Sequence, residues 1–285
     1  MLRRARPLLG TFVEITACAA DPASEQRACD AAFGAVADVH RLMSFHEPAS
    51  ELSRINREAH RGAVEVDPRT FAVLRRALEI AALSHGAFDC TIGARMVALE
   101  LLPALHDAAP TEAGSFRDIV VTPPNRVAFR RPLALDLGGI AKGFAVDQAV
   151  EALRRAGADA GCVNAGGDLR IFGDRAWPVA LRVPDAPRAL VALPPLRNRA
   201  LATSADTFVA GGHVIDPATG RPRTRPLSVS VLADTCMDAD ALTKVVWLAE
   251  RPPTALLETL HASTIVLRAS ASDPASAAHP LLDVA

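Results

Sequence analysis

Apolar side chains recur at helical spacing over long stretches of this chain. After the helix-start signal Asp21-Pro22, the apolar positions predict one long amphipathic helix that runs to Met43. Asp67-Pro68 begins a second long helix, which ends at Gly86. Further helical segments are predicted up to Asn56, over residues 142–156, from about Asp238 to Glu250, and over residues 252–260.

Shorter runs rich in Val, Ile and Leu predict strands that come in neighbouring pairs. The first strand is predicted from Leu8 to Thr16. The others are predicted over residues 119–121, 127–129, 162–164, 169–172, 190–193, 201–204, 227–232 and 264–267. Because paired strands alternate with long helices, the pattern favours an α+β fold of mostly antiparallel sheets layered with long helices over a doubly wound parallel fold.

Composition sets the size of the core and excludes one class of partner. The chain has 285 residues, of which 50% are hydrophobic and 22% charged, so it can bury a large core. We expect residues 1–268 to form a single domain and the Ala/Ser/Pro-rich residues 269–285 to form a mobile tail. A formal net charge of −1 with dispersed basic residues argues against nucleic-acid binding. Five separated cysteines without CxxC spacing predict reduced, buried thiols.

No apolar run is long enough to span a bilayer, so no transmembrane segment is expected. Arg3-Arg4 is similar to the basic start of an export signal, but Pro7 and Gly10 interrupt the apolar part that follows. The sequence as given therefore predicts a cytoplasmic protein, or a periplasmic one if an export leader is missing from it.

The segment from Leu135 to Asp147 predicts a strand, a glycine turn and the start of a helix. Gly138 and Gly139 permit close approach of the backbone to a ligand, and such a turn leaves backbone N–H groups free to meet an anion. Asp136 and Lys142 bracket the turn with opposite charges. The combination indicates a phosphate-bearing ligand, although an ordinary strand-to-helix connection with a surface lysine has the same pattern.

Three further loops are richer in polar and glycine residues than a connection requires: 164–168, 202–207 with 213–222, and 234–244. A tight hairpin turn explains the first as well as a binding role does, and a rigid turn is the simplest explanation of residues 213–222. In the third, Asp238 is predicted to be a helix N-cap. Asp240, in the first turn of that helix, suits either the positive end of the helix dipole or a hard cation such as Mg²⁺.

Taken together and in this order, the motifs of the chain resemble those of the ApbE family, the FAD:protein FMN transferases. The resemblance covers roughly residues 8–250, and the ordered set is far more specific than any single motif. The matching segments are Leu9–Ile15, Met43-Ser44, Ser50–Asn56, Gly86–Asp89, Asp136–Gly143, Asn164–Asp168, Thr203-Ser204, His213–Pro222 and Ala239–Leu242.

The resemblance implies an ApbE-like, T-fold-like architecture and a defined reaction. Such an enzyme uses Mg²⁺ and transfers the FMN moiety of FAD through a phosphoester bond to a Ser or Thr hydroxyl of a target protein, releasing AMP. By motif position, Asp240 would be a catalytic residue and would bind the metal together with the Gly139 carbonyl. Lys244, which stands where the family has another residue, is expected to be the second catalytic residue, and the neighbouring Thr243 to be a further metal ligand. The FAD-binding residues would be Leu9, His46, Ala87, Phe88, Asp89, Asp136, Lys142, Thr203 and Ile215.

The chain departs from the family pattern four residues after Asp240. The family usually has a Thr there that gives its hydroxyl to the metal, and this chain has Lys244. Because residues four apart share a helix face, the Lys244 ammonium is expected either to pair with Asp240 in the place of the cation or to approach the diphosphate directly. Thr243 is the alternative oxygen ligand, so the dependence on metal stays open.

The expected flavin contacts differ as well. His46 and Thr207 stand where the family tends to have Tyr, and Leu9 replaces a Met, which predicts weaker or differently shaped packing on the flavin. Two alternative activities fit the same FAD site: a pyrophosphatase that converts FAD to FMN and AMP, and a catalytically weakened protein that binds or delivers flavin.

Overall fold

The computed structural model describes residues 1–104, 114–184, 186, 188–205, 214–268 and 282–284. Its main feature is an eight-stranded sheet in which all neighbouring strands are antiparallel. With strands numbered in chain order, the order across this sheet is β1 (Leu2–Leu8), β2 (Thr11–Cys18), β6 (Ala160–Ala165), β7 (Asp168–Phe172), β10 (Ala200–Ala205), β13 (Leu227–Ala233), β14 (Ser263–Arg268) and β15 (Leu282–Val284).

Three small antiparallel sheets complete the β structure of the described residues. They consist of β3 (Val64–Glu65), β5 (Arg126–Phe129) and β4 (Ile119–Thr122); of β8 (Ala180–Arg182) and β9 (Leu190–Ala192); and of β11 (Ile215–Asp216) and β12 (Arg221–Pro222). The helices are α1 (Pro22–Met43), α2 (Glu51–Glu58), α3 (Pro68–Leu83), α4 (Gly93–Ala98), α5 (Ala141–Arg155), α6 (Cys236–Leu248) and α7 (Thr254–Thr259).

Helices α1, α2 and α3 begin at the caps that the sequence predicts. Asp21 and Asp67 each accept hydrogen bonds from backbone N–H groups two or three residues further on, at the starts of α1 and α3. The prediction that Asp238 caps α6 is wrong. The cap is Thr235, which has an extended backbone and accepts a hydrogen bond from the Asp238 N–H at 3.1 Å.

The predicted first strand, Leu8–Thr16, is also wrong, because the chain forms the hairpin β1–β2 with its turn at Leu9-Gly10. Both turn residues have positive φ, 55° at Leu9 and 70° at Gly10, as the tightest hairpin turns require. A bulky residue rarely adopts this conformation, so Leu9 gives no recognisable turn signal.

The large sheet separates two layers. Helices α1, α5 and α6 pack on one face, and the hairpin β8–β9 covers part of the other. Along β10, Ala200 and Ala202 belong to the helix-side core whereas Leu201 belongs to the opposite cluster, as the alternation of a strand dictates. Small side chains on the helix side let α6 lie close to the sheet.

The predicted α+β class is confirmed. No helix in the described part of the chain is long and apolar enough to cross a membrane. All five cysteines are free, and Cys29, Cys90 and Cys236 are buried while the other two are half-buried. Residues 206–213, and the expected tail apart from 282–284, lie outside the described residues, and the expected domain bounds stay a prediction.

Candidate active site

Helices α5 and α6 cross at Gly143. A Cβ on this residue would lie 2.2 Å from the Cys236 carbonyl oxygen and 2.9 Å from the Asp240 Cβ, so only glycine permits the crossing. The Gly143 N–H donates to Asp240 Oδ2 at 3.0 Å. The first turn of α5, which follows the glycine-rich motif, therefore lies directly against the buried carboxylate of α6.

Asp240 is fully buried and pairs with Lys244 on the same helix. The Lys244 ammonium contacts Asp240 Oδ1 and also donates to the Asp240 carbonyl oxygen at 3.1 Å. The Lys244 side chain passes the glycine turn, because its Cε lies 3.5 Å from the position that a Cβ would take on Gly139. Lys244 thus pairs with Asp240 and passes beside Gly139, the two residues that the family resemblance assigns to a metal by motif position.

A second lysine–aspartate pair lies beside the first. Lys142 Nζ lies 2.6 Å from Asp168 Oδ2, and Asp168 is 1% exposed at the start of β7. Asp168 Oδ1 accepts a hydrogen bond from the Thr203 N–H on β10 at 3.2 Å. The motif loops that precede α5 and β7 therefore meet β10 at one place.

Burial acts differently on the acidic and basic groups of this cluster. Burial raises the pKa of Asp168 and of Asp136 above the usual range of an aspartate. At Asp240, burial is outweighed by Lys244 and Lys142, which lower the pKa of that carboxyl. Burial alone would lower the pKa of Lys142, but Asp168 and Asp240 raise it. Lys142 therefore stays cationic and Asp240 anionic at neutral pH.

The prediction that the glycine turn offers free backbone N–H groups to an anion is wrong at four positions. The Gly138 N–H donates to the Asp136 carboxylate at 3.0 Å. The N–H groups of Ile140 and Ala141 donate to the Leu137 carbonyl, and that of Gly143 donates to Asp240. Because the chain's own acceptors take these donors, the positive charge here comes from the two lysines.

The loop of Ala87, Phe88 and Asp89 borders the cluster. Phe88 is buried, and its Cε2 lies 3.4 Å from the position of a Cβ on Gly139. The Asp89 carboxylate accepts hydrogen bonds from the Thr91 N–H at 2.9 Å, from the Thr91 hydroxyl at 2.8 Å and from the Phe116 N–H at 2.9 Å. Asp89 therefore holds the shape of the loop with both of its oxygens.

A cavity of about 690 Å³ lies next to this loop. Ala87 and Asp216 line it, together with the ends of α3 and α6 and the start of α7. Ile215, beside Asp216 in β11, is buried. Asp216 shapes its own turn by accepting hydrogen bonds from the Gly220 N–H at 2.7 Å and the Ala218 N–H at 2.9 Å. The fold thus brings the predicted FAD-binding segments around 87 and 215 to one cavity.

The remaining predicted residues do not form part of the two lysine–aspartate pairs. Leu9, at the β1–β2 turn, is half-buried against the main core. His46 is exposed and lies near enough to Asp136 to act against the rise in the pKa of that carboxyl, an effect smaller than that of Lys244. The Thr203 hydroxyl is hydrogen-bonded to the Ser230 hydroxyl at 2.8 Å. Thr207 and His213 lie outside the described residues, and the individual binding roles stay predictions.

Sequence reasoning missed Asp168 as the partner of Lys142. Its turn is built by Asn164, whose side-chain oxygen accepts a hydrogen bond from the Gly167 N–H at 2.9 Å. The repeated glycine pair was the available signal, but a contact between Lys142 and Asp168 depends on how β7 and α5 pack.

The sequence profile of the ApbE family matches residues 9–266. The chain belongs to the ApbE family. One curated relative, the FAD:protein FMN transferase of Vibrio cholerae, is 32% identical over 227 residues, covering 72% of this chain and 68% of the relative. The FAD:protein FMN transferase of Haemophilus influenzae is 33% identical over 234 residues, covering 72% and 67%.

Solved structures agree with the family assignment. The flavin transferase ApbE from Vibrio cholerae has a TM-score of 0.78 at 27% identity and covers 94% of this chain and 93% of that one. The apo flavinyl transferase ApbE of Pseudomonas stutzeri has a TM-score of 0.83 at 19% identity, covers 99% of this chain and 94% of that one, and supports the fold alone.

The residues present do not fit the Mg²⁺ that the ApbE resemblance implies. Lys244 places a positive charge on Asp240 Oδ1. Two like unit charges 4 Å apart repel by about 4 kcal/mol near a protein surface. The Lys244 ammonium would therefore repel a divalent ion at that distance about twice as strongly. Thr243 does not replace the missing ligand, since its hydroxyl is fully buried, donates to the Asp240 carbonyl at 2.7 Å and contacts the Ser204 hydroxyl at 2.8 Å. The described residues contain no group of three or more His, Cys, Asp or Glu side chains arranged for a metal.

Proposed function

We propose that this chain transfers the FMN moiety of FAD to a Ser or Thr hydroxyl of a target protein and releases AMP. The observation that carries the proposal is the match to the ApbE family over residues 9–266. Within these residues, separate motif loops of this chain meet at two lysine–aspartate pairs. The relatives named FAD:protein FMN transferase supply the reaction class.

The reaction is a displacement at the phosphorus that carries riboflavin. The acceptor hydroxyl oxygen forms a bond to this phosphorus while the bond to the bridging oxygen of the diphosphate breaks. AMP leaves with that oxygen and its electron pair, and the hydroxyl proton is released to water. Because negative charge is spread over the phosphoryl and leaving oxygens, fixed positive charge is the main contribution that a protein can make.

The two lysines provide this charge in the proposed site. Asp168 orients the Lys142 ammonium and Asp240 orients the Lys244 ammonium, so neither has to be organised when the diphosphate binds. Both lysine side chains are partly exposed, that of Lys142 by 31% and that of Lys244 by 21%. The neighbouring cavity at Ala87 and Asp216 has the size of a ligand pocket, and we assign the rest of the FAD molecule to it.

The test uses FAD and a library of peptides that each contain one Ser or Thr among random residues. Transfer predicts peptides that gain the mass of an FMN phosphoester, in equal amount to the AMP released. FMN in place of FAD, and a matched library with Ala at the acceptor position, serve as controls. AMP without modified peptide would identify a pyrophosphatase instead, and FAD binding without AMP would identify a carrier. Each assay is run with Mg²⁺ and with EDTA.

A further inference from the structure

The distribution of lysine in this chain is uneven. The sequence has 31 basic residues other than histidine, and only Lys142 and Lys244 are lysines. Both of them lie in the candidate active site, each against a buried aspartate. All the other Lys or Arg positions are arginine, so lysine occurs only in the candidate active site.

Arginine also serves where a buried carboxylate is structural. Asp147 pairs with Arg170 at 3.0 Å, and Asp238 pairs with Arg76 at 2.6 Å. Asp240 and Asp168 pair with lysine instead. A lysine ammonium is a compact point charge whereas a guanidinium is a planar fork, and the space next to Gly139 and Asp240 holds the compact group.

The ion pair of Lys244 with Asp240 differs from an ordinary ion pair on a helix surface. Residues four apart on an exposed helix often form such pairs, but Asp240 has a side chain that is 1% exposed, and its other oxygen is bonded to the Gly143 N–H. Lys244 also lies beside Gly139 and exerts its charge on Asp136 and Asp168. Its ammonium therefore lies on the carboxylate expected to hold a metal and acts on two further aspartates of the site.

We propose that the Lys244 ammonium takes the place of the divalent cation in this chain, so that FAD binds with its diphosphate against a fixed ammonium and needs no divalent metal. The inference rests on the proposed use of FAD and specifies how this chain differs from the family pattern. It makes Lys244 a cation that the fold carries permanently, positioned by Asp240.

The first test measures the dissociation constant of FAD by quenching of flavin fluorescence, in Mg²⁺ and in EDTA at equal ionic strength. The full-length wild-type chain should give values that agree within about twofold between the two buffers. Lys244→Met, which removes the charge and keeps the length, should weaken binding at least about tenfold in both buffers, the order expected for a charged hydrogen bond. Lys244→Thr, which introduces the hydroxyl typical of the family, should bind FAD at least about tenfold more tightly in Mg²⁺ than in EDTA.

The matched control is Arg154→Met, which removes one positive charge from the far end of α5. Arg154 is 41% exposed and lies about 18 Å along the helix from Lys142 at 1.5 Å per residue. It should bind FAD as the wild type does in both buffers. A comparable loss in this variant would mean that overall charge, and not the position of Lys244, governs binding, which would overturn the inference.

A second test needs no enzymatic activity and uses Mn²⁺ as the probe. Electron paramagnetic resonance of the wild-type protein with FAD should show only free Mn²⁺, whereas Lys244→Thr with FAD should show a bound ion. Stoichiometric Mn²⁺ in the wild type that is lost in Asp240→Asn, or wild-type FAD binding that EDTA weakens tenfold, would overturn the inference and leave the proposed function intact. Absence of FAD binding in either buffer would overturn the proposed function itself.

Discussion

Asp147 and Asp240 lie on facing helices and are similar in burial, but they pair with different cations. Both are buried, and each accepts backbone N–H groups from the opposite helix: Asp147 of α5 from Cys236 and Met237, each at 2.9 Å, and Asp240 of α6 from Gly143 at 3.0 Å. They differ in the cation, since Asp147 pairs with Arg170 while Asp240 pairs with Lys244.

The contrast separates a structural carboxylate from a functional one. Asp147 accepts hydrogen bonds from backbone N–H groups at the start of α6. The first N–H groups of every helix have no acceptor within the helix and need one elsewhere. Asp240 satisfies one N–H and pairs with an ammonium that the proposed function assigns to the diphosphate of FAD. Burial, hydrogen bonding and the exposure of the partner side chain, 17% for Arg170 and 21% for Lys244, do not distinguish the two carboxylates, whereas the identity of the partner does.

The largest expected effect on stability comes from disturbing the crossing of α5 and α6, the two helices that carry these aspartates. Gly143→Ala would place a methyl group 2.2 Å from the Cys236 carbonyl oxygen, and the backbone of α6 would have to move. We expect the free energy of unfolding to fall by about 3 kcal/mol or more, the upper range for overpacking. Urea denaturation measures it, and an unchanged midpoint would show that the helices are not held as closely as described.

Removing the negative charge of each aspartate in turn tests whether the two have different roles. Asp240→Asn leaves Lys244 without its anionic partner and should lower kcat/KM for FMN transfer about 100-fold, equivalent to about 2.7 kcal/mol of lost stabilisation. Asp147→Asn is the matched control and should keep transfer within about threefold. Equal losses in both variants would contradict the separation of roles.

The pH dependence of stability reports on Asp147. Burial raises the pKa of Asp147 to about 6, against the opposing effect of Arg170 and with a further rise from Asp238. The folded state therefore holds this proton more tightly than the unfolded state, so the contribution to stability is complete below about pH 4 and is lost as the pH rises through 6.

The measurement is the difference in unfolding free energy between the wild type and Asp147→Asn, which cancels the other titrating groups. This difference should change by about 2–3 kcal/mol between pH 4 and 7, to the disadvantage of the wild type, at 1.36 kcal/mol per unit of pKa shift. A difference that is flat with pH would show that Asp147 is not strained by burial.

The smallest effect serves as a reference for the glycine at the crossing. Gly34 lies in α1, is exposed, and has no atom within 4 Å of the position of an added Cβ. Gly34→Ala should therefore stabilise the protein by about 1 kcal/mol through helix propensity alone. Thermal unfolding of this variant beside Gly143→Ala separates propensity from packing, and a loss of stability would contradict the open space described at Gly34.

Local chemistry made much of the fold predictable. The caps Asp21 and Asp67, the helical spacing of α1 and α3, and the paired strands around residues 165–168 all follow from nearby residues. The errors arose where the backbone took an improbable form, as in the left-handed Leu9, or where the cap lies three residues before the predicted one, as Thr235 lies before Asp238.

The candidate site was predictable as a set of motifs and not as a geometry. Lys244 and Asp240 are four residues apart, so their contact follows from helix periodicity. The Gly143–Asp240 hydrogen bond joins residues 97 positions apart, and the Lys142–Asp168 pair joins β7 to α5. Contacts of this kind depend on the packing of α5 against α6 and the sheet, which no local pattern encodes.

The scarcity of lysine also gives the protein a built-in chemical reporter. Apart from the amino terminus, Lys142 and Lys244 carry all of its primary amines, so an acylating reagent such as an N-hydroxysuccinimide ester reaches the pocket wherever it modifies a side chain. Coupling of either lysine to an amine-reactive surface would block the pocket, whereas protection of the two lysine peptides in a mass spectrum would report its occupancy directly.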